Sequence, residues 1–220
     1  MRNLRLLGKK KEDYSILCLG AHGDDIEIGC GGTILRLLEE CPNINIRWVI
    51  FSVNSHPQRK REVRDSANAF LQSAKKKIDI NNFRDGFLPF VGDRVKEYFE
   101  QLKGKFAPDI IFTHYRNDLH QDHRLISSLT WNTFRDHLIL EYEIPKYDGG
   151  LGSPNLFVPL SRELCKKKVQ YLLKYFKSQK TKQWFTRNVF LSMLRIRGLE
   201  CNSPSNYAEA FYSHKLVIKM

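Results

Sequence analysis

Two clusters of imidazoles and carboxylates define the chemistry this sequence could do. The first is His22, Asp24 and Asp25, inside Ser15–Thr33 (SILCLGAHGDDIEIGCGGT). His22 and Asp25 can ligate one divalent cation from a single turn, which leaves Asp24 beside it as a free carboxylate. The second is HYRNDLHQDHR over 114–124, with three histidines and two aspartates in eleven residues. His123 would complete a set of two imidazoles and one carboxylate, and a catalytic zinc commonly keeps three protein ligands and one position for water. The same set tolerates iron(II). A cation lowers the pKa of bound water towards roughly 7–9, which makes a nucleophile near neutral pH. Asp24 would take its proton as general base, and His120 would stabilise a developing oxyanion or protonate a leaving amine. Asp122, between His120 and His123, would hold one imidazole in its working tautomer.

Either cluster alone has an ordinary explanation as a turn or a cap. Their placement argues for more. Ile16–Leu19 is an apolar run suited to a buried strand, and the DIIFTH stretch ending at His114 is another. Helical periodicity starts at Thr33 after the first cluster and at Leu125 after the second, where it runs to about His137. Two polar strand-to-helix loops at one edge of a parallel sheet are what an active site in this architecture requires.

The other elements fit the same scheme. Residues 45–53 read as a second buried strand, Pro57 starts a helix, and 77–80 is a short weak strand. The loop over 81–89 holds an Asp-Gly turn and Asp85. A helix over 91–102, a strand over 139–143 and an edge strand over 156–160 follow, the last placed at the edge because Pro159 cannot donate to a ladder. A helix over 161–179 has Ser161 as its N-cap and Glu163 near its positive end. Another over 185–198 is closed by Gly198, and the C-terminal segment offers one short strand and room for a second. The fold class is α/β: a Rossmann-like, mostly parallel sheet flanked by helices, with the metal site at the C-terminal edge of the strands. Residues 1–13 form a polar tail and 14–220 one domain.

At 220 residues the chain can bury one good-sized core. No apolar stretch reaches the roughly 18–20 residues of a membrane span, and the basic N-terminus has no secretory-signal core. The expectation is a soluble cytoplasmic protein. Five scattered cysteines without a CxxC pair argue against a disulfide framework or a structural Cys-type zinc site. Cys30, near the first cluster, reads as a small buried residue. The net charge of +12 comes largely from KKK at 9–11, 75–77 and 166–168 and from QRKREVR at 58–64. These runs read as solvated faces; no nucleic-acid-binding pattern accompanies them, and no specific nucleic acid is expected as a partner. His114 reads as structural, His56, His137 and His214 as surface or core histidines, and Asp118 as a turn residue or an acceptor behind a ligand. Gly29, Gly31 and Gly32 read as permitting tight turns and close helix packing; their spacing is not that of a dinucleotide fingerprint.

AHGDDIEIGCGGT resembles the AHPDDxE signature of the PIG-L/LmbE-like zinc-dependent de-N-acetylase family, with Gly23 at the usual proline. HQDH at 120–123 is similar to the family's HxDH motif. Softer counterparts are Arg59-x-x-Glu62, Asp85-Gly86, PNLFVPLS and YAEAF, so the likeness covers most of the chain after the tail. The resemblance implies zinc-dependent hydrolysis of an N-acetyl group on an N-acetylglucosamine-type sugar or conjugate. By position it implies His22, Asp25 and His123 as metal ligands and Asp24 as base. It gives His120 as the oxyanion's partner, oriented by Asp122, and sets Arg59 and Asp85 around the substrate. The tyrosine that some members place two residues before HxDH is here Asp118. The expected partner is a small acetamido-sugar substrate, nucleotide-, phosphate- or lipid-linked, and homo-oligomerisation stays open. The alternatives are a metal-dependent deacylase of a non-sugar amide or ester, and a non-catalytic carbohydrate- or nucleic-acid-binding module.

Overall fold

The computed structural model describes residues 13–41, 43–53, 57–72 and 74–217. Strand β1 (Tyr14–Gly20) lies inside the sheet because its side chains from Ile16 to Leu19 are apolar and both faces are covered. Ile16 and Cys18 join one core cluster and Leu17 and Leu19 the other, the period-2 alternation of a strand buried on both sides. The chain continues through α1 (Asp25–Glu40), β2 (Ile44–Ile50), α2 (Pro57–Leu71), β3 (Lys75–Ile80), α3 (Gly92–Lys105) and β4 (Ile110–His114). Then come α4 (Gln121–Thr133), β5 (Leu138–Tyr142), β6 (Leu156–Pro159), α5 (Arg162–Tyr175), α6 (Arg187–Glu200) and β7 (Ala208–Tyr212). Short 3₁₀ turns occupy Leu88–Val91 and Lys177–Gln179.

The seven strands run in the order β3-β2-β1-β4-β5-β7-β6. β1 pairs in parallel with both β2 and β4, and β4 with β5. β7 is antiparallel to its neighbours β5 and β6. The expected mostly parallel, helix-flanked sheet is therefore found, with β6 and its Pro159 at an edge. Side chains of α1, α2, α5 and α6 contribute to one core cluster, and those of α3 and α4 to the other. The strand order reverses between β1 and β4, so their carboxyl ends form the crevice where open α/β sheets bind ligands.

Several boundaries differ from the sequence expectation. α1 begins at Asp25 rather than Thr33, so Gly29, Gly31 and Gly32 lie inside a helix and not in turns. Each glycine costs a helix up to about 1 kcal/mol of propensity, which hides these turns from pattern reading. Close packing requires them: a Cβ on Gly29 would lie 2.1 Å from the Tyr142 ring, and one on Gly32 would lie 2.4 Å from Leu160 Cδ1. α4 starts at Gln121, four residues before its apolar periodicity, and ends at Thr133. α5 stops at Tyr175, while α6 runs through Gly198 to Glu200. β3 is longer than expected, and the described C-terminal residues hold one strand, β7. Ser161 does cap α5, its Oγ accepting from Leu164 N at 3.1 Å. The tail over 1–12 and His56 lie outside the described residues. Among those described, no helix is long and apolar enough to cross a membrane, and the five cysteines are free.

Candidate metal centre and active site

The crevice is built from the two loops that follow β1 and β4. At the end of β1, Gly20 O and Ala21 O accept from Phe51 N and Ser52 N at 3.0 and 2.8 Å, extending the ladder into the loop. The chain then turns sharply, with His22 N donating to Asp25 Oδ2 at 2.6 Å. This turn brings His22, Asp24 and Asp25 to the positive end of α1, where carboxylates are favoured. After β4, His120 occupies the N-cap of α4, and its Nδ1 accepts from Asp122 N at 3.2 Å. Asp122 and His123 lie in the first turn, both buried. Sequence reading starts this helix too late because HQDH is polar, although it is the helix N-terminus.

Three ligand-type atoms converge between the loops. His22 Nδ1 is 3.1 Å from His123 Nε2 and 3.4 Å from Asp25 Oδ2, and His123 Nε2 is 3.5 Å from that same oxygen. Donors about 2.0–2.1 Å from a tetrahedral zinc are separated by about 3.3–3.4 Å, so this triangle fits such an ion. The outer nitrogens are both occupied by carboxylates. His22 Nε2 lies 2.9 Å from Asp85 Oδ1 and 3.3 Å from Asp122 Oδ2, and His123 Nδ1 lies 3.0 Å from Asp118 Oδ2. Donating outward leaves both imidazole lone pairs facing each other and the Asp25 oxygen. That arrangement repels itself unless a cation or a proton sits between them.

The electrostatics agree. Burial disfavours charge on His22, but Asp25, Asp122 and Asp85 raise its pKa well above the ordinary imidazole value. Burial and the neighbouring His114 push His123 down to about 3, so its ring is neutral. Burial and then the charge of His22 also lower His120. With Nδ1 accepting from Asp122 N, the neutral His120 carries its proton on Nε2.

The remaining expected residues border this centre. Asp24 is buried, and its Oδ1 receives Arg59 Nη2 at 3.2 Å. Arg59 is anchored by Ser178 Oγ at 3.3 Å and by Glu62 Oε2 at 3.6 Å. Asp85 reaches His22 itself, as the 2.9 Å contact shows. Asp122 differs from the expectation that it orients His120. Its carboxylate accepts from Gly86 N at 2.7 Å and Leu88 N at 3.1 Å and faces His22. From the first turn of α4 the side chain reaches across to the 85–88 loop, while the ring of His120 caps its backbone.

Two residues of the centre were not assigned there from sequence. His114, expected to be structural, is fully buried, stacks on His123 with centroids 3.9 Å apart, and has Nε2 3.3 Å from Asp25 Oδ2. That nitrogen accepts from Ala21 N at 2.9 Å, so its lone pair is engaged and the ring is a wall of the site. Its position at a strand end was the available signal. Lys146 reaches Asp118 Oδ2 at 2.7 Å, and nothing in its local sequence marks it.

Comparison with known proteins gives a consistent result. Residues 17–134 match the family model described as PIG-L, GlcNAc-PI de-N-acetylase. A protein of Escherichia coli K12 named as an uncharacterised deacetylase, YaiS, is 27% identical over 151 residues, which are 64% of this chain and 79% of that one. The N,N'-diacetylchitobiose deacetylase of Pyrococcus horikoshii superposes with a TM-score of 0.69 at 20% identity, covering 91% of this chain and 83% of that one. The 4-carboxy-2-hydroxymuconate hydratase GalB of Pseudomonas putida KT2440 superposes with a TM-score of 0.73 at 14% identity, covering 94% and 98%. Structural likeness at such identities shows the fold, which hosts more than one chemistry.

Proposed function

The chain belongs to the PIG-L family of de-N-acetylases, and from that premise we propose that it is a metal-dependent hydrolase of an acetamido sugar. It would remove the N-acetyl group from an N-acetylglucosamine-type sugar or conjugate and release acetate and a free amine. The observation that carries this reading is the triangle of His22 Nδ1, Asp25 Oδ2 and His123 Nε2, with edges of 3.1–3.5 Å and outward-donating imidazoles. These residues would hold the cation, zinc or iron(II), which supplies Lewis-acid polarisation of the amide carbonyl and a more acidic water.

The chain's own groups account for the remaining chemistry. Asp24 Oδ1 is held by Arg59, while Oδ2 has no hydrogen-bond partner among the described residues and can take the proton of the attacking water. His120 is neutral, with Nε2–H as its donor. It stabilises charge on the carbonyl oxygen by a hydrogen bond rather than supplying a proton. The proton taken by Asp24 is then the one passed to the departing amine. Arg59 and Asp85 border the centre and would engage sugar hydroxyls. The net charge of +12 supports a phosphate-bearing conjugate.

The test is metal content together with acetate release from a panel of N-acetylglucosamine conjugates. The wild type should hold about one divalent ion and release acetate. Asp24→Ala should keep the ion and lose about 10²–10⁴ in kcat, whereas Asp25→Ala should lose both ion and turnover. A wild type that binds no divalent metal would overturn the site; metal binding without acetate release from any conjugate would overturn the substrate class.

A further inference from the structure

Lys146, on the loop after β5, is joined to the metal centre through one atom. Asp118 Oδ2 accepts both Lys146 Nζ, at 2.7 Å, and His123 Nδ1, at 3.0 Å. Asp118 is 2% exposed, and its other oxygen accepts His120 N at 2.8 Å. The Lys146 side chain is 12% exposed, so solvent screens its charge little. We propose that Lys146 is a positioning residue that weakens the hold of this centre on its divalent cation, acting through Asp118 on His123. The proposal rests on the reading of His22, Asp25 and His123 as the ligands.

A carboxylate behind a ligating histidine makes the ring a stronger donor, and removal of such a partner typically costs 10–100-fold in metal affinity. An ammonium on the same oxygen withdraws part of that support, and it also repels a dication across the ring. Carboxylates surround the centre: Asp24 and Asp25 from the first loop, Asp85 and Asp122 on His22, and Asp118 on His123. Arg59 offsets Asp24 and Lys146 offsets Asp118. A less strongly donating His123 leaves a bound cation the better electrophile, so affinity is exchanged for Lewis acidity.

A purely mechanical role predicts no gain in affinity. Lys146 also lies 3.4 Å from Ile144 O and 3.5 Å from Asp148 Oδ1, contacts that hold the loop. Were that its whole purpose, removing the ammonium would leave zinc affinity unchanged or reduce it.

The experiment measures zinc affinity of the purified full chain by competition with a chromophoric chelator. Lys146→Met should bind zinc about tenfold more tightly, Lys146→Arg should stay near wild type, and Asp118→Asn should bind about 10–100-fold more weakly. Lys146→Gln, which keeps a hydrogen bond to Asp118 without the charge, should also bind more tightly and carries the test if the methionine variant does not fold. Unchanged or weaker zinc binding in the folded neutral variants would overturn the proposal and leave the ligand assignment standing. A wild type with no measurable zinc affinity would overturn the ligand assignment itself.

Discussion

The two loops that make the centre are held by different forces. The one after β1, Ala21 to Asp24, is fixed by backbone and by close packing. Its carbonyls continue the sheet ladder, Ala21 N is bonded to His114, and α1 starts at once. Behind it, Gly29, Gly31 and Gly32 seat α1 against Tyr142, Phe70 and Leu160, with no room for a methyl group. The one after β4, Tyr115 to His120, is fixed by carboxylates. Asp118 gathers His120 N, His123 Nδ1 and Lys146, and Asp122 gathers Gly86 N, Leu88 N and His22. Arg124 closes the turn by donating to Asp118 O and Leu119 O. The first loop is therefore sensitive to volume and the second to charge.

Substitutions that test each sensitivity separately would break this contrast if it is wrong. The largest expected effect is steric. Gly29→Ala forces a methyl group to within 2.1 Å of the buried Tyr142 ring, whose hydroxyl is fixed to Leu19 O at 2.6 Å. Overpacking of this kind costs about 1–3 kcal/mol or more, about 2–4 °C in Tm per kcal/mol at this chain length. Thermal unfolding should show a loss of several degrees, and an unchanged Tm would contradict the packing argument. Next is Asp122→Asn, nearly equal in volume. It weakens the acceptors for Gly86 N and Leu88 N and removes the charge facing His22. Zinc affinity should fall by about tenfold or more, with little change in far-UV circular dichroism. A variant that unfolds while a metal-saturated sample keeps wild-type affinity would reverse the contrast.

The same difference governs how much the sequence reveals. β1 and β4 are legible because strands buried on both faces carry unbroken apolar runs, Ile16–Leu19 and Ile110–Phe112, and the loops between strand and helix follow from the clustered polar residues. The helix starts are not. α1 begins under three glycines whose place is set by Tyr142, Phe70 and Leu160, residues distant in sequence. α4 begins in a run whose polarity serves the crevice. The convergence of His22, Asp25 and His123 is anticipated by residue type and by the place of both clusters at strand ends. Its supporting shell is anticipated only in part: Asp118, read as a turn residue or an acceptor behind a ligand, does accept from His123, whereas Asp122 crosses to the 86–88 backbone and Lys146 arrives from a loop after a different strand. Arg59 and Asp85 are reached only through the family resemblance. Gly23, where the family signature has proline, also gains a reason from tertiary structure: its Cβ position lies 2.5 Å from Val63 Cγ2.

A buried carboxyl within the sterically governed half sharpens the contrast. Glu27, on the first turn of α1, is fully buried, and among the described residues only the Ser66 side chain stands near enough to offer its carboxyl a hydrogen bond, without closing a well-formed one. Burial pushes its pKa up to about 8, Ser66 and the backbone offset part of that rise, and Asp24 and Asp25 add a smaller repulsion. The ordinary glutamate value is about 4.3. Between those values the folded chain keeps a proton that the unfolded chain releases, so this group reduces stability as pH rises through that window. Glu27→Gln mimics the neutral acid at every pH. In the presence of a chelator, its Tm should come closest to that of the wild type near pH 4 and exceed it increasingly up to pH 8. Parallel Tm curves across that range would mean that Glu27 stays ionised in the folded chain. The interior behind the first loop would then have to stabilise an anion, and its sensitivity would be to charge as well as to volume.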